Sequence, residues 1–184
     1  MKSFVIILLG LTIAFDSCGQ VTSNQREVSQ AVTSFYTWYI GTTKDKRYSE
    51  YVKGVEDENG NTKLETKEYF KRLDSLGVIG QEFIDSERKR MQPCADFLLT
   101  VPWTEFSTAD DFPYEDKCDF FYYYYWTYGQ EPHDNVEILK VTINNKTAVA
   151  ETNIYFGDTK SNGDKVLVRL TKQKGKWMIT KIEQ

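Results

Sequence analysis

The residues whose types and spacing most resemble a site are Asp57-x-Asn59-Gly60-Asn61-x-x-Leu64-x-x-x-Glu68. Asp57, Asn59, Asn61 and Glu68 supply oxygens at the spacing of a calcium-binding loop, and Leu64 falls where such a loop carries an apolar residue. A hard cation wants oxygens, and a closing glutamate can bind it through both. Thr62 stands where that loop needs glycine for its sharp turn. The alternative is a polar turn ahead of a helix. Proton-transfer chemistry has little to work with. The single histidine, His133, lies beside Pro132 and Asp134 and reads as an exposed turn residue. One histidine and at most a bridged cysteine pair do not make a zinc site. Asp110, Asp111, Glu115, Asp116 and Asp119 cluster in or beside a proline-bearing loop and read as a solvated face. No phosphate-cradling glycine motif or nucleophile elbow is present.

The most unusual stretch is Asp119–Pro132, DFFYYYYWTYGQEP. Strand alternation puts Phe120, Tyr122, Tyr124, Trp126 and Tyr128 on one face, and Phe121, Tyr123 and Tyr125 on the other. Both faces are aromatic, so a half-exposed strand is excluded. The segment reads either as a central strand with one face under a partner or loop, or as a cavity wall. Four consecutive tyrosines favour some wet surface, because burying their hydroxyls dry would demand a partner for each.

The chain has 184 residues, 23 basic and 27 acidic, for a formal charge of −4. That balance argues against general binding of nucleic acid or anionic lipid. Met1-Lys2 followed by the apolar run Ser3–Phe15 predicts a secretory signal, too short to span a bilayer as a stable helix. Ser17-Cys18 after this run is similar to the lipobox of bacterial lipoproteins. Phe15 and Asp16 depart from that pattern, and cleavage after Gly19 is the alternative. The resemblance implies acylation of Cys18 and an anchor in the membrane. The following GQVTSN has no acidic cluster, which by the same resemblance implies an outer-membrane lipoprotein facing the periplasm. Residues 1–17 are then signal, 18–25 a tether and 26–184 one domain. With Cys18 acylated, Cys94 and Cys118 form an even pair in an oxidising compartment. They are either bridged or two small buried thiols.

The elements follow from periodicity. Asn24-x-x-Glu27 predicts a capping box. Val28, Ala31, Val32, Phe35 and Tyr39 predict a first helix ending at Gly41, apolar over much of its circumference. Residues 42–62 read as polar connection, with a short helix near Tyr48–Val52. A second helix begins near Thr62 or Thr66, buries Tyr69, Phe70, Leu73 and Leu76, and stops at Gly77. A third runs from about Gly80 to Gln92, buries Phe83, Ile84 and Met91, exposes Glu87–Arg90, and is broken by Pro93, with continuation over the apolar run Ala95–Leu99 after a kink as the alternative. Residues 102–117 read as loop. VEILKVTI, AVAETNIYF, KVLVRLTK and KWMITKIE predict an antiparallel meander of four to five strands. Helices followed by strands mean an α+β fold, three N-terminal helices packed in a curved antiparallel sheet.

That order, with FYTWY in the first helix, the aromatic YYWTYGQE segment and the Trp177-x-Ile179 ending, resembles the cone-shaped nuclear transport factor two-like superfamily. Within it, the likeness is to uncharacterised lipoprotein families of Bacteroidota. The resemblance covers nearly all of the chain after the signal. It implies a cavity between sheet and first helix, lined by Tyr36, Trp38 and Tyr39 from the helix and by Tyr122, Tyr124 and Trp126 from the aromatic strand. The superfamily hosts isomerases, dehydratases, binding modules and adaptors, so fold does not assign activity. The expectation is a non-catalytic binder of a small molecule or peptide, held at the membrane. The alternatives are a protein-binding or immunity-like inhibitor lipoprotein and an enzyme working in the cavity.

Overall fold

The computed structural model describes residues 22–44, 48–109, 117–118, 126–127, 133–158, 160 and 163–183. The signal, Cys18, most of the aromatic segment and the acids at 110, 111, 115, 116 and 119 lie outside them. The described chain is α+β, as its periodicity predicts. Its elements are α1 (Ser23–Lys44), α2 (Tyr48–Tyr51), β1 (Lys53–Glu56), β2 (Thr62–Glu65), α3 (Lys67–Ser75), α4 (Gln81–Leu98), α5 (Trp103–Thr108), β3 (Asn135–Asn144), β4 (Thr147–Tyr155), β5 (Asp164–Gln173) and β6 (Lys176–Glu183). Two antiparallel sheets form, one of β1 and β2 and one in the order β3-β4-β5-β6.

The meander appears where alternation places it. Ala148, Ala150, Thr152 and Ile154 of β4 and Val166, Val168 and Leu170 of β5 are buried on one face. Two register shifts break the alternation. Ile138 pairs with Thr152 and Lys140 with Glu151, leaving Leu139 as an extra residue. Arg169 pairs with Lys181 and Leu170 with Ile179, leaving Thr180 extra. Each bulge swaps the inward parity, so Trp177 and Ile179 are followed by Ile182 in the core. Bulges also bend and twist the strands that carry them.

Helix α1 lies on this sheet with Val28, Val32, Phe35 and Tyr36 fully buried. Its cap is two residues earlier than expected. Thr22 Oγ1 accepts from the Gln25 amide at 3.2 Å and Gln25 Oε1 accepts from the Thr22 amide at 2.9 Å, a reciprocal box. Asn24 instead accepts from Lys172 Nζ at 2.7 Å and from the Trp177 indole at 3.4 Å, tying α1 to the β5–β6 turn. Gly41 does not stop the helix. Thr42 and Thr43 are buried, and Thr43 Oγ1 donates to the carbonyls of Tyr39 and Ile40.

Three further expectations are corrected. Residues 53–62, read as polar connection, and Thr62–Glu65, read as one possible start of the second helix, form the β1–β2 hairpin. Asp57 closes its turn by accepting from the amides of Asn59 and Asn61 at 2.8 and 2.9 Å. Pro93 does not break the third helix. Proline removes one internal hydrogen bond, but Cys94 and Leu98 keep the helix on the core beyond it. Part of the supposed loop is helix α5, which packs by β1. Gly77, with φ 65°, does end α3 as expected.

Cys94 and Cys118, 24 positions apart in sequence, are bridged, with Cα atoms 5.0 Å apart. Both are fully buried. The bridge fixes the chain leading into the aromatic segment to the C-terminal part of α4.

Candidate functional site

Trp126 is where the aromatic segment meets the helices. It is 6% exposed. Its indole packs on Phe83 of α4 with ring centroids 5.0 Å apart, and edge-on to Phe35 of α1 at 6.4 Å. Its polar groups are directed too. The Trp126 amide donates to the Tyr39 hydroxyl at 3.3 Å, and the indole Nε1 donates to the Tyr69 hydroxyl at 3.4 Å. Tyr69 in turn donates to Glu87 Oε2 at 2.7 Å. Arg90 closes the chain with two donors to Glu87, Nε to Oε1 and Nη2 to Oε2, both at 2.9 Å. Its guanidinium lies 5.8 Å from the Trp126 ring centre, a cation over an indole face. Each of α1, α3 and α4 contributes a polar side chain, and all converge on this one tryptophan.

Glu87 is the one buried acid among the described residues, at 1% exposure. The expectation that Glu87–Arg90 form an exposed face fails for it. The reason is visible in the spacing: Phe83, Glu87, Met91, Cys94 and Leu98 lie at helical intervals on one stripe, and all are buried. A charge on an apolar stripe signals a buried pair, and Arg90 three residues on is its partner. Its three donors engage both carboxylate oxygens, so Glu87 ties α3 to α4.

The expected pocket residues divide. Tyr36 and Tyr39 are 0% and 1% exposed and sit in the core with Phe35. Trp38 is half-buried and touches Tyr39 and Tyr69, with centroids 6.3 and 6.2 Å apart. Trp126 joins the same cluster. Tyr122 and Tyr124 lie outside the described residues. The structure thus brings helix one and the aromatic segment together through Tyr39 and Trp126, and their meeting point is packed.

Two of the four candidate calcium ligands, Asp57 and Glu68, are otherwise engaged. Asp57 holds its own hairpin turn. Glu68, in the first turn of α3, accepts from Arg72 Nε at 2.7 Å and from Lys71 at 3.4 Å. Desolvation alone would raise the Glu68 carboxyl, but the Lys71 and Arg72 charges beside it outweigh that and hold it below the usual range. Among the described residues no group of three or more His, Cys, Asp or Glu could hold a metal. His133 is more enclosed than a turn residue would be: its side chain is 13% exposed and Nε2 lies 3.5 Å from Asp164.

A groove lies elsewhere, between β2, α3 and α4. It encloses about 570 Å³ and is bordered by Lys63, Lys67, Lys71 and Arg88 over Leu64 and Phe70. A second groove, about 310 Å³, lies between α1 and the edge strand β3. Among the described residues no helix is long and apolar enough to cross a membrane.

No family model matches the chain, and neither a curated protein nor a solved structure is detectably similar to it.

Proposed function

We propose that this chain is an exported, lipid-anchored binding module of the cone-like kind, without catalytic activity. The aromatic segment is its receptor surface for a small molecule or peptide. The supporting observation is the fixing of Trp126. A segment rich in tyrosine is tied at its tryptophan to three helices by a buried polar network, and the chain entering it is tied to α4 by a disulfide. Binding surfaces gain from such preorganisation, because less ordering remains to be done when the ligand arrives. Tyrosine suits the role, with ring area for contact and a hydroxyl for direction. The engagement of both Glu87 oxygens by Tyr69 and Arg90 supports the non-catalytic reading, since a general acid or base must reach substrate.

A thermal-shift screen of the mature domain against small molecules and short peptides tests this. Ligands that raise the melting temperature of wild type should lose that effect in Tyr124→Ala, whose own melting temperature should change little. Turnover of a substrate that is abolished by Glu87→Gln would contradict it.

A protein-binding role is the second reading. Leu139, the extra residue of the bulge on edge strand β3, is 49% exposed, and Phe156 at the end of β4 is 65% exposed. Large apolar side chains beside a sheet edge that pairs with no strand among the described residues suit a protein partner.

A further inference from the structure

We propose that the groove between β2, α3 and α4 is a second binding site, one that takes an extended acidic peptide. It uses different residues from the aromatic segment and stands independently of it.

The charge distribution is the first argument. The whole chain carries −4, yet this groove is bordered by four cations, Lys63, Lys67, Lys71 and Arg88, with Glu65 as its one acid. Glu65 is already turned to the backbone, accepting from the Lys67 amide at 2.7 Å. Lys71 shares Glu68 with Arg72. Lys63, Lys67 and Arg88 form no ion pair among the described residues, although acids outnumber bases in the chain. Concentrated positive potential in a cleft attracts and orients anions.

The shape of the groove is the second. Its floor is apolar, Leu64 and Phe70, and it continues into a smaller hollow of about 140 Å³ over Met91 and Ala95. Arg88 stacks on the Phe70 ring with its guanidinium carbon 4.1 Å from the centroid. Stacking holds the guanidinium by its face and leaves its edge, where the donors are, available to a carboxylate fork. An occupant must therefore bring apolar side chains as well as negative charge, which inorganic phosphate does not.

The third is backbone. In the β1–β2 pair, Thr62 donates its amide to the Val101 carbonyl at 2.8 Å, so that amide points away from β1. Strand alternation then directs the N–H and C=O of Leu64 to the same outer edge, alongside the groove. Leu64 lines the groove itself. An extended chain laid there would gain main-chain hydrogen bonds from the edge and set alternate side chains on the apolar floor and the cationic border. This is the strand-addition mode of peptide recognition.

The test is fluorescence anisotropy on the mature domain. The probe is a labelled six-residue peptide of alternating glutamate and leucine, and the control has lysine for each glutamate. The acidic probe should saturate and the basic one should not. Lys63→Glu/Lys67→Glu should abolish binding, and Arg88→Gln should weaken it roughly ten-fold or more, as loss of a charge-assisted fork implies. Arg88→Lys should recover only part, while Lys174→Glu, on the β5–β6 turn, should bind as wild type. All four residues are exposed, so these variants should fold, and circular dichroism checks that. Equal binding of the two peptides overturns the proposal. So does indifference to the lysine reversals. Phosphatidylglycerol vesicles or inorganic phosphate binding through the same residues while the acidic peptide does not would also overturn it, by making the groove an anion site of another kind.

Discussion

Tyr69 of α3 donates its hydroxyl to the buried carboxylate of Glu87 of α4 at 2.7 Å, and the same hydroxyl accepts from the Trp126 indole. One oxygen thereby links two helices to the aromatic segment. Removing one partner of a buried ion pair costs more than removing both, because a charge is left without its counterpart. Glu87→Ala should destabilise the domain by ~3–5 kcal/mol in urea unfolding. Glu87→Leu combined with Arg90→Leu should cost markedly less than Glu87→Ala. Tyr69→Phe should cost ~1–2 kcal/mol, the scale of one buried hydrogen bond. Additive single and double changes would show that the network is not coupled.

The Cys94–Cys118 bridge closes a loop of 24 residues' separation, worth about 3.5 kcal/mol by the chain-entropy relation, less any native-state strain. The sulfurs are buried, so dithiothreitol should act only as the domain unfolds. Unfolding free energies from urea titrations with and without reductant should differ by an amount of that order, and the Cys94→Ser/Cys118→Ser variant should match the reduced protein. An unchanged free energy would mean that the loop ends are held by packing alone.

Anchoring turns on Cys18. Labelled palmitate should enter the wild-type chain and not Cys18→Ala, and the variant should leave the membrane fraction. Labelling that survives the substitution would refute acylation at this residue. Removal of the domain from intact cells by added protease would place it on the outer face rather than the periplasmic one.

Much of this fold is legible in the sequence. The four strands of the meander stand out by period-two patterning, and even the bulges leave a trace. Val136 and Ile138 are followed by Val141 and Ile143, and Trp177 and Ile179 by Ile182, each with one residue too many for strict alternation. The β1–β2 hairpin was hidden because KGVE and TKLE are four-residue strands with charged ends, stabilised by α4 and by Val101 rather than by their own patterning. Asn24 resembles a cap, but its amide serves Lys172 and Trp177 across the fold, a distant pairing that local spacing does not encode. The Trp126 network was half legible. Glu87 sits on the apolar stripe of α4 for anyone counting by fours, whereas its meeting with Tyr69 and Trp126 depends on how α3, α4 and the aromatic segment pack.

Glu183 closes the sheet at the end of β6. Hydrogen bonds from Arg169 and then Lys181 hold its carboxyl below the ordinary 4.5. A carboxyl depressed in the folded state contributes stability that is present above its unfolded value and is lost as pH falls through its folded value. Titration by NMR should place Glu183 below its ordinary value, and Arg169→Gln should raise it. An unmoved titration would remove Arg169 as the cause.

Whether the aromatic segment is a receptor surface can be tested most directly by fluorine NMR of the mature domain labelled with meta-fluorotyrosine, screened against small molecules and short peptides. Resonances are assigned by single Tyr→Phe variants. Ligands should move the signals of Tyr122 and Tyr124, and leave those of the buried Tyr36, Tyr39 and Tyr69 in place. Tyr122 and Tyr124 signals that no compound moves, and that are as sealed from a soluble paramagnetic agent as the core tyrosines, would contradict the binding account.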